Sequence, residues 1–115
     1  MKLLPYGYHW LNEEDISAVA DALRGEWITQ GPRVEEFERQ VAATCGAQFA
    51  AAFSSGTAAL HAACFAAGVK AGDEVITTAL TFVATANAVV YQGATPVFSD
   101  IDPRTLLIDP NEVSR

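Results

Sequence analysis

Phe49-Ala50-Ala51-Ala52-Phe53-Ser54-Ser55-Gly56-Thr57-Ala58-Ala59-Leu60-His61 is the stretch on which the reading of the fold turns. A continuous small and apolar run ends in a Ser/Gly/Thr cluster, after which Ala58, Leu60, His61, Ala62 and Phe65 follow a helical pattern up to Gly68. The order is strand, turn, helix. Gly72-Asp73 leads into Glu74-Val75-Ile76-Thr77-Thr78 as a second strand, residues 82–91 read as the next helix, and Ala94-Thr95-Pro96-Val97-Phe98-Ser99 as a third strand. Strands alternating with helices predict an α/β fold: a parallel βαβαβ unit with right-handed crossovers. Parallel sheets are covered on both faces, which accounts for strands that are apolar without alternation.

Upstream, Asn12-Glu13-Glu14-Asp15 opens a pattern of Ile16, Val19, Ala20 and Leu23 that ends at Gly25, a capped amphipathic helix with acids in its first turn. Gly31-Pro32 starts a second helix marked by Val34, Phe37, Val41 and Ala42, which stops at Gly46. The linker Glu26-Trp27-Ile28-Thr29-Gln30 holds a Trp that is costly to leave wet. The chain therefore divides into a helical segment with its linker, residues 1–47, and the start of a larger α/β domain, residues 48–115. Downstream, Asp100-Ile101-Asp102-Pro103 reads as a turn and Leu106-Leu107-Ile108 as a short extended piece. Asp109-Pro110-Asn111-Glu112-Val113 is a helix start that the chain is expected not to continue. With two unsheltered sheet edges, such a piece is expected to be the front part of something larger.

At 115 residues and 50% hydrophobic, the chain has room for one modest core and is not a disordered tail. Its net charge of −7 disfavours nucleic acid and anionic membranes as partners, because both are polyanions. No apolar run reaches a membrane span and the N-terminus does not read as a signal peptide, so a cytoplasmic, non-membrane protein is expected. Cys45 and Cys64 lack the spacing of a zinc site and are expected to be buried, reduced thiols.

In so acidic a chain a phosphate has to be bound locally, by backbone. The turn at Ser54-Ser55-Gly56-Thr57 lies where a strand's C-terminal end meets a helix N-terminus, so free N–H groups and the positive end of the helix dipole suit an anion. The plainer reading is that Ser and Thr merely cap the helix. Phe82 borders the same crevice, either over a flat ring or as core; Asn87 either bonds neighbouring backbone or touches a ligand. His61 has no partners at triad spacing and is expected to be a satisfied, partly buried histidine. Asp100 and Asp102 read as turn formers rather than metal ligands.

Ser55-Gly56-Thr57-Ala58-Ala59-Leu60-His61, Gly72-Asp73-Glu74-Val75-Ile76-Thr77-Thr78, Thr81-Phe82-Val83-Ala84-Thr85-Ala86-Asn87-Ala88, Gly93-Ala94-Thr95-Pro96-Val97-Phe98 and Asp100-Ile101-Asp102, together with Trp27-Ile28-Thr29-Gln30-Gly31-Pro32, resemble the DegT/DnrJ/EryC1/StrS family of nucleotide-sugar aminotransferases. The resemblance covers the chain from Pro5 onward. It implies the first part of the large domain of a fold type I pyridoxal 5'-phosphate (PLP) enzyme, with Gly56, Thr57 and Ala58 on the cofactor phosphate and Phe82 stacked on its ring. Tyr6, Glu26, Trp27, Ile28 and Thr29 would line the nucleotide-sugar side, with Ser55 close by. An amino-acid donor, glutamate, and a homodimer are further implications. The Phe-Val-Ala-Thr-Ala-Asn string and Pro5-Tyr6 look most like the pseudaminic acid branch. Ala79 stands where the family leads one to expect proline, and is expected to loosen the turn before Phe82. The Schiff-base lysine and the acid paired with the pyridine nitrogen are expected beyond Arg115, since neither Lys2 nor Lys70 fits that motif; the piece alone is then expected to be inactive, with no catalytic residue of its own. Two other readings stand beside this one: a dehydratase of the same family with histidine in the lysine's place, and a non-catalytic α/β interaction domain.

Overall fold

The computed structural model describes Pro5 and residues 7–114. The chain forms two compact units, residues 1–51 and residues 52–115, each taken here by itself.

The first unit holds two helices, α1 (Glu13–Arg24) and α2 (Pro32–Cys45). Asn12 caps α1 reciprocally: its side chain accepts from the Asp15 N–H at 2.9 Å, while the Asp15 carboxylate accepts from the Asn12 N–H at 3.0 Å. Glu13, Glu14 and Asp15 in the first turn and Arg24 in the last suit the helix dipole. Helix α2 begins on Pro32 and ends at Gly46, whose φ of +65° is the left-handed cap that glycine adopts without cost. Cys45 ends α2 and is exposed, contrary to the expectation of a buried thiol, because the described residues build no core around that helix end; Cys64 is half-buried, and both are free.

The second unit contains α3 (Gly56–Ala66), β1 (Glu74–Thr78), α4 (Ala84–Val90), β2 (Thr95–Ser99) and a single turn, α5 (Pro110–Val113). Strands β1 and β2 pair in parallel from Glu74↔Thr95 to Thr78↔Ser99. The ladder runs one step further at each end, through Thr95 N–H to Asp73 O (2.9 Å) and Ala79 N–H to Ser99 O (3.1 Å). Ala79 therefore tethers the turn it was expected to loosen, with a hydrogen bond that proline cannot donate. Helix α4 crosses between the strands and packs on both, with α3 packed on α4. The core is built from small residues: Ala84, Ala88, Val89 and Ala94 are buried, with Ala88 only 1% exposed. Gln92 Nε2 donates to the His61 carbonyl at 3.1 Å, and the rings of His61 and Tyr91 meet edge to face at 5.3 Å, which ties α3 to the end of α4.

The sheet departs from the expected three strands. Residues 49–53 enter no ladder: apolarity and β-propensity suit a strand, but no strand of the described residues pairs with them. The boundary between the two units falls inside this run. Helix α4 is also shorter than residues 82–91: its hydrogen bonds begin with Thr85 N–H to Phe82 O and Asn87 N–H to Val83 O, both 3.0 Å, and Phe82 stays in the preceding loop. Beyond β2, Ile101 and Ile108 form an antiparallel bridge, and Asp109 caps α5 by accepting from Asn111 N–H at 2.8 Å, so the helix start at Asp109-Pro110 does deliver one turn.

The turn feeding β1 is closed by charge. The Asp73 carboxylate accepts from the Lys70 N–H at 3.0 Å and from Lys70 Nζ at 3.3 Å. Its pKa is lowered from the ordinary 3.8, chiefly by the Lys70 backbone hydrogen bond, opposed in second place by desolvation and helped less by the Lys70 ammonium. A depressed folded-state pKa contributes stability above the unfolded value, and that contribution is lost as pH falls through the folded one. A carbon-detected titration is expected to place the Asp73 midpoint below 3.8. Asp73→Asn should remove this part of the acid dependence, and high salt should reduce it, since the pair is exposed.

Candidate functional site

The start of α3 is set by Ser55. Its backbone is extended (φ −161°, ψ 162°), its Oγ accepts from the Ala58 N–H at 3.2 Å, and its carbonyl accepts the first helical bond, from Ala59 at 3.0 Å. The N–H groups of Gly56 and Thr57 precede that first bond and open along the helix axis, where the dipole is positive. A Cβ added to Gly56 would meet nothing within 4 Å, so the room at this turn lies outside the protein.

That room is a cavity of about 650 Å³ lined by Gly56, Thr57, Leu60, Ala63 and Ala84, with Phe82 on its wall. Phe82 is 73% exposed, too wet for core, and its loop is pinned by the Thr81 and Thr85 hydroxyls 2.9 Å apart and by Leu80 N–H donating to Thr78 Oγ1 at 3.3 Å. The lining carries no charged side chain, so an anion entering here would meet only backbone N–H groups, the Thr57 hydroxyl and the helix dipole. Geometry of this kind suits a ligand with a phosphate at one end and a flat apolar body.

The structure thus gathers Gly56, Thr57 and Phe82 around one space. Ala58 stands apart: its N–H is taken by Ser55, and its side chain faces a second hollow of about 380 Å³ with Phe53, His61, Ala62 and Phe65. Ser55 is the helix cap. Leu60, Ala63 and Ala84 went unread in the sequence, although Leu60 and Ala63 follow Gly56 by four and seven positions and so share its helix face. Glu26, Trp27, Ile28 and Thr29 are exposed in the linker between α1 and α2, and Tyr6 lies outside the described residues.

Other candidates resolve plainly. Asp102 Oδ1 accepts from Arg104 N–H at 2.7 Å and Asp100 Oδ1 from Ile101 N–H at 2.8 Å, the turn duty expected of them. No group of three or more metal-ligating side chains occurs among the described residues. His61 is exposed rather than partly buried, because its ring lies against Tyr91 at the surface of the α3–α4 pair. The Asn87 side chain makes no hydrogen bond among the described residues. None of their helices is long and apolar enough to cross a membrane.

A parallel β pair, an anion-suited helix start and an adjoining aromatic wall are features found where α/β domains take phosphate-bearing ligands. Residues 10–115 match the DegT/DnrJ/EryC1/StrS aminotransferase family, and the chain belongs to it. It is 50% identical over 107 residues to the spore coat polysaccharide biosynthesis protein SpsC of Bacillus subtilis (strain 168), covering 93% of this chain and 28% of SpsC. It is 44% identical over 108 residues to the UDP-4-amino-4-deoxy-L-arabinose–oxoglutarate aminotransferase of Shewanella sediminis (strain HAW-EB3), covering 94% of this chain and 28% of that protein. Among solved structures, Spr1654 from Streptococcus pneumoniae, assigned as a sugar aminotransferase, superposes with a TM-score of 0.89 at 34% identity, over 96% of this chain and 28% of its own, in both PLP and PMP forms. The chain thus spans little more than a quarter of these relatives, and its α/β fold with a parallel pair is a portion of the fold type I architecture.

Two stability outcomes follow from the geometry. Ser55→Ala should cost about 1 kcal/mol in urea unfolding of the apoprotein, the scale of a lost N-cap. Phe82→Ala should stay within about 0.5 kcal/mol of wild type, as for a solvated side chain; a loss of several kcal/mol would place Phe82 in a core.

Proposed function

We propose that the chain is the cofactor-phosphate and substrate-lining part of a PLP-dependent aminotransferase that moves an amino group from glutamate to a 4-keto nucleotide sugar. The observation that carries this reading is the cavity that joins the open N–H groups of Gly56 and Thr57 to the exposed ring of Phe82. Its residues fit the cofactor: a helix start free of competing carboxylates for the phosphate, room above Gly56, and an aromatic wall for the ring. When bound, PLP supplies the electron sink that amine transfer requires.

The chain's own part is binding and orientation. Gly56 and Thr57 hold the phosphate through backbone N–H groups, and the Thr57 hydroxyl adds a charge-assisted donor. Ser55 fixes the helix start from which those groups project, and Ala58 contributes through its place in that first turn. Phe82 covers one face of the ring and excludes water from it. Tyr6, Glu26, Trp27, Ile28 and Thr29, with Ser55, line the nucleotide-sugar side: Trp27 and Ile28 offer apolar surface and Thr29 a hydroxyl.

The family membership supports the chemistry, and the oxoglutarate in the Shewanella relative's name supports glutamate as donor. Within the family we assign the pseudaminic acid branch, with the activity of a UDP-4-amino-4,6-dideoxy-N-acetyl-β-L-altrosamine transaminase, on the Phe82-Val83-Ala84-Thr85-Ala86-Asn87 string and Pro5-Tyr6. The working enzyme is a cytoplasmic homodimer.

Thr57→Val in the full-length enzyme should weaken PLP retention by about 1–2 kcal/mol, the scale of one hydrogen bond to a charged acceptor. Phe82→Ala should lower PLP affinity and shift the cofactor absorbance, whereas Phe82→Trp should preserve both. Mass spectrometry of sugar nucleotides incubated with enzyme and labelled glutamate reads the transfer itself. Unchanged PLP affinity in Thr57→Val and Phe82→Ala would remove the site assignment, and a full-length protein without PLP absorbance would remove the whole reading.

A further inference from the structure

We propose that Gly31 is a positioning residue for the nucleotide-sugar side: having no side chain, it lets Trp27 stand where it meets the sugar nucleotide. The proposal rests on the reading just given for residues 26–29. A Cβ on Gly31 would lie 2.5 Å from the Trp27 Cβ and 3.3 Å from its Cγ. The Trp27 Cβ is bonded directly to backbone and cannot swing aside, so any other residue at 31 displaces either the linker or the start of α2.

The backbone offers no competing reason for glycine. At φ −90° and ψ −173°, position 31 is open to every L-residue, and the following Pro32 favours that extended region in any case. As an N-cap, glycine is accepted but ranks below Asn, Asp and Ser. Position 31 is the N-cap of α2, where Asn, Asp or Ser is preferred, yet α2 has no side-chain cap bond while α1 has Asn12 and α3 has Ser55. The chain forgoes a cap at the helix start where a capping side chain would collide with Trp27. Gln30 completes the device with a φ of +51°, a left-handed turn that brings position 31 back against Trp27. The outcome is a Trp fixed at its base and 64% exposed as a residue, which is the form of a presented contact surface rather than of a packed one.

The experiment uses the full-length holoprotein with Gly31→Ala, Gly31→Ser, Trp27→Gly and the double variant Trp27→Gly/Gly31→Ala. Calorimetric titration is done with UDP-4-amino-4-deoxy-L-arabinose and with UDP-4-amino-4,6-dideoxy-N-acetyl-β-L-altrosamine, alongside the PLP absorbance spectrum and thermal melts. Both Gly31 variants should bind the sugar nucleotide at least about tenfold more weakly, with the PLP spectrum and its response to glutamate unchanged. Gly31→Ser should melt no lower than Gly31→Ala, since its hydroxyl offers a cap bond that partly offsets the displacement. With the Trp27 Cβ removed, adding Gly31→Ala should cost nothing further, the coupling expected of two residues in collision. Wild-type affinity in both Gly31 variants, an equal loss of PLP and sugar nucleotide, or strict additivity in the double variant would overturn the proposal while leaving the aminotransferase reading in place. A wild-type protein that holds PLP and binds neither sugar nucleotide would instead overturn the sugar reading, and this proposal with it.

Discussion

The second unit depends on how closely α4 sits on the parallel pair β1–β2. Ala84, Ala88 and Val89 are all buried there, and residues this small let the helix backbone approach two strands that alone are too few to be stable. Everything that forms the candidate site is positioned from this contact. Helix α3 packs on α4, which brings the N–H groups of Gly56 and Thr57 alongside the loop that follows β1, and that loop carries Phe82. A larger side chain at position 88 would push α4 off the sheet and so widen the space between the helix start and the aromatic wall.

Much of this was legible in the sequence because it rests on local chemistry. Asn12 and Gly46 bound helices by the hydrogen bonds they make or the backbone they adopt, and β1 falls at Glu74–Thr78 where β-branched residues cluster after a Gly-Asp turn. Gly56 and Thr57 were legible as a candidate anion turn for the same reason, since a glycine turn and a helix start leave backbone donors open. For Phe82 the residues left ring and core open, and only the family resemblance favoured the ring. The residues that escaped are those whose state depends on distant partners. Residues 49–53 have the composition of a strand, but no described strand pairs with them in a ladder. His61, flanked by Leu60 and Ala62, and Cys45, a thiol that usually favours the core, both stand exposed, since burial is decided by what packs across from a residue rather than by what flanks it.

Ala79 shows the same division. As a letter in a motif it is a departure that weakens a turn. As a donor to the Ser99 carbonyl it lengthens the ladder by one bond and holds the start of the loop to the sheet. The loop before Phe82 is then restrained by three hydrogen bonds, from Ala79, from the Thr78 hydroxyl and between Thr81 and Thr85, where a proline would have restrained it through a fixed φ. Two different sources of stiffness serve one requirement, an aromatic ring that stays in place while exposed.

That requirement also explains how a chain of net charge −7 can offer an anion a place. Long-range electrostatics oppose the approach of a phosphate, so the local field must come from groups that carry no formal charge and need no counterion. Two backbone N–H groups, a hydroxyl and a helix dipole meet that condition only while the helix start keeps its geometry, because the dipole's effect fades within one turn. The Ser55 cap and the α3–α4 packing are therefore part of the site's electrostatics as much as of its stability. Loosening either would weaken the proposed phosphate site without touching any atom that would contact the ligand.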